Sequence, residues 1–438
     1  AELGFLNMMD AGLERIPQRR WMMALLFGAG TLVNNFDRLS LSVVPAATLQ
    51  QELHFGPEQY GLLSGAFFLT YAWLQIPFGM ILDRFGVSLV GRVGAFMCGV
   101  ASAITALAGN FASLLAARCL LGVAGAAVFP VSSKGTGYWF PRRERALATA
   151  IFDSAAKLSR VLGILLVTLV MVRWGWRWGI GFTAILTFAY ALLFFAVYRD
   201  PSADAKLSQQ ERMHIVYGGA TPEGRAPVDT TEMLLYLLSK AKVWGLSIGF
   251  AAYGYSFYLY LTWLPAFIAS KLHVDIMKSV QYSTIPWAIA TVTDLMVGGW
   301  LVDYLISTGG DETKVRKTIL VIGMLLGLAV FGATQTTDPM WAVLWISISL
   351  GGLSFAASVG WSLPSLIGPK GGVGTVGGIM NWANNVIGGS LAPAITGLLV
   401  ARTHSFDLAF AVAGVILIVG IFCFLVVLGK IEPIPDPA

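Results

Sequence analysis

Long apolar runs alternate with short polar breaks along this chain. Each run is about 20 residues, the length a helix rising 1.5 Å per residue needs to cross the hydrocarbon core of a bilayer. None shows the ten-residue alternating segments of a membrane barrel. The pattern predicts twelve spans, near 21–47, 60–82, 89–109, 111–135, 146–171, 178–198, 243–268, 279–305, 318–335, 341–366, 373–400 and 406–428. The fold class is therefore an all-α membrane protein. One long polar segment, 199–242, is broken by Pro201, Gly218, Gly219 and Pro222 and divides the spans six and six. The domain plan is a leading segment 1–20, a six-helix bundle 21–198, a central loop 199–242, a second bundle 243–428 and a tail 429–438. Within the loop, 207–217 reads as a short amphipathic helix lying on the membrane surface.

Composition supports this reading. Of 438 residues, 56% are hydrophobic and 12% charged, with a mean hydropathy of +0.71; a soluble domain carries about 25% charged residues. With the first terminus inside, nineteen basic residues fall in inner segments and five in outer loops, which puts both termini in the cytoplasm. Trp139, Tyr198, Trp244 and Trp341 near span ends read as interface anchors. Cys98, Cys119 and Cys423 lie in apolar runs and read as small core residues. His54, His214, His273 and His404 fall in loops or at helix ends, so no metal site or cofactor is expected. The first 20 residues carry no cleavable signal pattern, making the run from Trp21 the first permanent span.

The residues that do not belong in lipid point to function. Asn34, Asn35, Asp37 and Arg38 interrupt the first span. A carboxylate or guanidinium there costs about 2.5–3.5 kcal/mol on insertion scales, so each must face protein or a water-filled cavity. Neighbours on a helix point about 100° apart, so Asp37 and Arg38 cannot simply neutralise each other. Asn34, Arg38 and Ser42 share one predicted stripe, and Asp37 shares another with Gly30 and Ser40. With Arg92, at the inner edge of the third span, counted among the inner segments, Arg118, Lys134, Lys157 and Arg160 are the other basic residues within spans; Lys134, near an inner end, can snorkel. Asp153 and Asp294 join Asp37 as embedded acids. An excess of fixed positive charge attracts an anion, and a planar guanidinium matches a carboxylate in two hydrogen bonds.

The two halves also repeat a motif. Gly79 and Asp83 end the second span, with Arg84, Gly86 and Arg92 following; Gly299 and Asp303 end the eighth, with Arg316 and Lys317 following. At matched positions, glycine permits close helix approach and aspartate can cap or pair at the inner face. These residues are candidates for conformational gating.

The chain thereby resembles the major facilitator superfamily, and within it the anion:cation symporter branch of bacterial galactonate and hexuronate transporters. The residues carrying the resemblance are Phe36-Asp37-Arg38, Tyr71-Ala-Trp-Leu-Gln75-Ile-Pro77, Gly79 to Arg92, Tyr138-Trp139-Phe140-Pro141-Arg142-Arg143-Glu144-Arg145, Trp176-Arg177-Trp178, Thr262-Trp263-Leu264-Pro265 and Gly377-Gly378-Ile-Met-Asn381. The resemblance implies two pseudo-symmetric six-helix halves and proton-driven import of a sugar acid across the bacterial inner membrane, by a monomer. It implies that Arg38 binds the solute carboxylate, with Tyr71, Ser358 and Asn381 at matching cleft positions. Arg118 and Arg160 add positive field, Asn384 and Asn385 read hydroxyls, and Asp37 is the first candidate for the proton. The expected partners are a small organic anion, protons and the lipid bilayer, with no nucleic acid.

The sequence departs from that pattern twice. The galactonate type carries a glutamate seven residues after the fourth-span arginine; this chain has Gly125 there, which leaves proton symport open against exchange or uniport. Family members are usually uncharged at the position of Arg160. Asp153, Lys157 and Arg160 share one helix face, and Asp153 with Lys157 reads either as a structural pair or as part of the coupling machinery. Asp294 reads either as a protonatable group or as a helix-bridging partner. Tyr253, Tyr255, Tyr258 and Tyr260 cannot all face one way. Gly372, Gly374 and Gly377 satisfy GxGxxG but follow a membrane span rather than a strand, so they read as a tight turn and close packing. No nucleophile–base or paired-carboxylate arrangement points to an enzyme, and no appended signalling domain favours a non-transporting sensor.

Overall fold

The computed structural model describes residues 17–44, 46–224, 229–272, 276–336 and 338–437. Every regular element among them is helical. The helices are α1 (Arg19–Val43), α2 (Ala46–Leu53), α3 (Pro57–Trp73), α4 (Gln75–Leu107), α5 (Phe111–Gly125), α6 (Val128–Trp139), α7 (Arg145–Trp174) and α8 (Trp176–Val197). After the polar segment's α9 (Gln209–Tyr217) and α10 (Thr230–Leu238) come α11 (Ala241–Leu272), α12 (Ile276–Thr293), α13 (Val302–Ser307), α14 (Glu312–Gly327) and α15 (Val330–Gln335). The chain ends with α16 (Pro339–Ile367), α17 (Val373–Ala383), α18 (Ala392–Thr403) and α19 (Asp407–Phe422). Wider π-helical turns at Asp294–Leu301 and Asn384–Leu391 join α12 to α13 and α17 to α18.

Among the described residues nine helices are long and apolar enough to cross a bilayer, or ten if α10 and α11, bent by 77°, form one span. Besides the span at 243–268, which meets that standard only as the bent pair, two of the twelve predicted spans fall short of it for different reasons. In α1 the four polar residues at 34, 35, 37 and 38 pull its mean hydropathy down. The second span is cut at Leu74, which leaves α3 with 17 residues. Its remainder continues as the first part of α4, which turns at Gly86, where a φ of +81° suits only a residue without a β-carbon. Asn110 starts α5 by accepting a hydrogen bond from the Ser113 amide at 2.9 Å, the tight turn expected between the third and fourth spans.

The repeated aspartates have equivalent roles. Asp83 accepts hydrogen bonds from the amides of Gly374 and Thr375 at 2.8 and 2.7 Å, capping α17. Asp303 accepts from the amides of Ala146 and Leu147 at 3.0 and 2.8 Å, capping α7. Each carboxylate thus meets the positive end of a helix from the other side of the central loop. The glycine one turn earlier makes room in both cases. A β-carbon on Gly79 would collide with the Gly374 carbonyl oxygen, and one on Gly299 would lie 2.8 Å from the Ala150 methyl. The first turn of α17 follows the same logic, since a β-carbon on Gly374 would meet Asp83 Oδ1 at 2.7 Å.

Several expectations for this basic end change. Lys134 does not snorkel: it is buried and pairs with Asp83 at 2.6 Å. Trp139 and Tyr198 are fully buried, so they pack inside the end of the bundle instead of anchoring it in an interface; Trp341 is exposed. The helix expected on the membrane surface docks on the protein: Glu211 of α9 is buried and accepts from the Arg20 amide at 3.0 Å and its guanidinium at 3.1 Å. Arg92 donates to the Tyr198 carbonyl at 3.1 Å, while Arg84 lies exposed beside Phe85. Arg142 pairs with Glu312 at 2.9 Å, and buried Arg145 donates to the Ser365 carbonyl at 2.9 Å. Ser133 donates to the Trp361 carbonyl at 3.0 Å. The basic end is therefore closed by contacts between helices that precede and follow the central loop.

Candidate functional site

Beyond that closure lies a cavity with about 530 Å³ of empty volume, bordered by α1, α3, α6, α7, α11, α16, α17 and the π-helical turn after α17. It brings together Asn35 and Arg38, Tyr71, Asp153, Lys157 and Arg160, Tyr253 and Tyr258, Trp361, Asn381 and Asn384. Arg38 sits with its guanidinium 4.7 Å from the centre of the Tyr71 ring and 4.9 Å from that of Phe67. The two faces orient the charge through cation–π attraction, worth about 0.5–2 kcal/mol each. Among the described residues no carboxylate lies within 4.0 Å of Arg38 or Arg160. The two guanidiniums repel each other across the cavity, and Tyr258 is coupled electrostatically to both.

A ladder of hydrogen bonds backs the polar wall. Tyr258 donates its hydroxyl to Asn385 Oδ1 at 2.6 Å, and Asn385 Nδ2 donates to Asn381 Oδ1 at 2.9 Å. Asn381 Nδ2 donates to Gln75 Oε1 at 2.7 Å, and Gln75 Nε2 to the Tyr71 carbonyl at 3.0 Å. The ladder fixes Asn381 and ties α4 to α17. The π-helical turn that follows brings Gly388 against the Gly254 backbone of α11, at 2.6 Å from where its β-carbon would stand.

Lys157 is held between two acids. It pairs with Asp153 on its own helix and with Asp294 Oδ2 at 2.7 Å. All three are buried, with exposures of 3% for Asp153, 1% for Lys157 and 0% for Asp294. The Asp153–Lys157 pair is thus present, and Asp294 is the helix-bridging partner that extends it from α7 to the second half of the sequence. A buried ion pair is weak evidence of stability on its own, but removing one partner leaves an uncompensated charge.

Other candidates lie elsewhere. Asp37 turns away from the cavity and accepts from Thr187 Oγ1 of α8 at 2.7 Å. Asn34, expected to share the Arg38 stripe, instead borders a second cavity of about 410 Å³ together with Gly30, Cys98, Thr187 and Tyr190. The actual division of α1 is Asn34 with Asp37 on one side and Asn35 with Arg38 on the other. Arg118 is buried 5.4 Å from the Phe67 ring centre, where its charge acts on Asp37 rather than bordering the main cavity. Ser358 points at α12's continuation: a β-carbon on Gly298 would collide with its Oγ. Asn385 stands behind Asn381 in the ladder. Of the four tyrosines, Tyr253 and Tyr258 border the cavity, while Tyr260 hydrogen-bonds Ser349 at 2.6 Å. Gln75 and Asn35 were missed as site residues, although Gln75 stands four residues after Tyr71 and so on its face.

A model of the Major Facilitator Superfamily matches residues 26–393. The chain belongs to the major facilitator superfamily. Members of this superfamily are transporters, and this multi-pass membrane protein is not an enzyme. The chain is 36% identical over 422 residues to the "uncharacterized transporter YybO" of Bacillus subtilis, covering 96% of this chain and 97% of that protein. It is 27% identical over 421 residues to a D-galactonate transporter of Escherichia coli, covering 95% and 97%. The galactonate-type resemblance read from the motifs therefore stands. Among solved structures, the proton:xylose symporter XylE bound to 6-bromo-6-deoxy-D-glucose superposes with a TM-score of 0.73 at 16% identity, covering 94% of this chain and 96% of that one, a likeness of fold. In this major facilitator chain the cavity is walled by helices from both sides of the central loop, with Arg38 and Arg160 on the first side and Asn381 and Asn384 on the second.

Proposed function

We propose that the protein imports a small organic anion, a sugar acid of the galactonate kind, across a bacterial inner membrane by proton symport. In this reading twelve spans form two six-helix halves, 21–198 and 243–428, with both termini in the cytoplasm, and the halves rock about a site near the bilayer midplane. The observation that carries it is Arg38: a guanidinium stacked on two aromatic rings, open to a cavity, and without a carboxylate partner among the described residues. A solute carboxylate supplies the missing charge in two parallel hydrogen bonds. Tyr71, Asn381 and Asn384 supply donors and acceptors for hydroxyl groups. Asp37 takes the proton from its place beside Thr187, and the field of Arg118 couples it to events at Arg38. Closure of the basic end through Asp83 and Asp303 supports a state in which the cavity is cut off from the cytoplasm.

Gly125 supports a second reading, uniport or exchange without a proton, because the second carboxylate of the galactonate pattern is missing. Uptake of labelled D-galactonate and related acids into proteoliposomes, with and without an imposed pH gradient, separates the two. Uptake driven by the gradient is expected; gradient-independent uptake removes symport, and no uptake of any acid removes the transporter class assigned.

A further inference from the structure

The main cavity presents two guanidinium forks, and one carboxylate group cannot pair with both. Four ionic side chains border it: Arg38, Arg160, Lys157 and Asp153. Lys157 is already spent, since it pairs with Asp153 and with Asp294 behind it. The two guanidiniums remain. Each is partly exposed, and each lacks a carboxylate within 4.0 Å among the described residues. They also repel one another. Two like charges held in one low-dielectric space without a directly paired counterion are unfavourable. The arrangement becomes favourable when something with two negative charges enters. A monoanion would satisfy one guanidinium and leave the other desolvated and unanswered.

Resting on the transporter reading above, we infer that the preferred solute is a dianion, with one anionic group on Arg38 and a second on Arg160, and that Arg160 is the residue that sets this preference. Both side chains carry a planar fork suited to carboxylate or sulfonate oxygens. The neutral Tyr71, Tyr258, Asn381 and Asn384 then address whatever lies between the two charged ends.

Galactarate and galactonate form a matched pair of probes, because they share a six-carbon hydroxylated chain and differ in whether one end is a carboxylate or a hydroxymethyl group. Succinate with butyrate, and sulfoacetate with acetate, extend the comparison to other skeletons. Binding to the purified full chain is read from thermal stabilisation in detergent, and transport from counterflow in proteoliposomes. The doubly charged member of each pair that binds should bind at least about ten-fold more tightly. Arg160→Gln should abolish that advantage, and a cooperative thermal transition of the ligand-free variant shows that it is folded; Arg160→Lys should keep part of the advantage. Equal affinities within a pair in the wild type, or an advantage that survives Arg160→Gln, would overturn the inference and leave the anion-transporter reading standing. Silence from every acid would overturn both.

Discussion

Lys157 Nζ lies 2.7 Å from Asp294 Oδ2, joining α7 to the π-helical turn that follows α12. The bond runs between residues 137 positions apart in the sequence. It closes one wall of the cavity, and it makes Lys157 a single cation shared by two buried acids.

Replacing that cation should therefore be severe. Lys157→Met leaves Asp153 and Asp294 facing each other without compensation and should cost about 3–5 kcal/mol of stability. Thermal melting in detergent measures the loss. Adding Asp294→Asn to the same chain should recover much of it, and an unchanged melting temperature in the single variant would refute the bridge.

The two capping aspartates should differ in weight. Asp83→Asn removes a helix cap and also strands buried Lys134, so a loss of about 3–5 kcal/mol is expected. Asp303 has no cation within 4.0 Å among the described residues, so Asp303→Asn should cost only the cap, about 0.5–2 kcal/mol. Lys134→Met should rescue Asp83→Asn and have no benefit with Asp303→Asn. Equal melting temperatures for the two single variants would contradict this division.

Filling the glycine contacts should bias the protein away from the closed basic end. Gly79→Leu pushes a side chain at the Gly374 backbone, and Gly299→Leu pushes one at Ala150 and Leu147. Overpacking of about 1–3 kcal/mol that acts on one state only shifts the equilibrium by about 5–150-fold. A cysteine at Ser133, whose hydroxyl bonds the Trp361 carbonyl in the closed state, reports the opening through faster labelling by a maleimide. No change in labelling would mean that closure does not depend on these contacts.

At the cavity, Arg38→Lys keeps the charge but loses the fork and the guanidinium's contact with the Tyr71 and Phe67 rings. Uptake of any responsive acid should fall by about 10–100-fold, a loss of about 1.4–2.8 kcal/mol in solute binding, with melting temperature unchanged. Near-normal uptake would remove Arg38 as the clamp.

Gly125 has room for a β-carbon. A β-carbon there would be 3.4 Å from Asn34 Nδ2 and 3.8 Å from the Tyr71 ring, which is ordinary contact. Gly125→Glu should steepen the dependence of uptake on an imposed pH gradient. Identical gradient dependence in both proteins would show that this position does not carry coupling.

Much of the architecture was legible because bilayer thickness fixes helix length and because a polar residue in lipid must have a reason. The Gly79–Asp83 and Gly299–Asp303 repeat could be read as a matched pair before its partners were known. Those partners could not, since α17 and α7 are distant in sequence and nothing local specifies which helix end an aspartate will cap. Lys134 and Trp139 were misjudged for a related reason: position near a span end says nothing about whether neighbouring helices cover it.

The first span shows where the division falls. Sequence alone determined that Asp37 and Arg38 are expensive in a membrane and, lying about 100° apart, must serve different partners. It also marked Arg160 as an unusual charge and Gly125 as a missing one. Only the tertiary structure decided that Arg38 shares a cavity with Arg160 while Asp37 faces Thr187. The physical reason is that periodicity fixes angles within one helix. Its rotation toward the rest of the bundle is set by side-chain packing against α7, α8 and the other helices around it, which no single segment encodes.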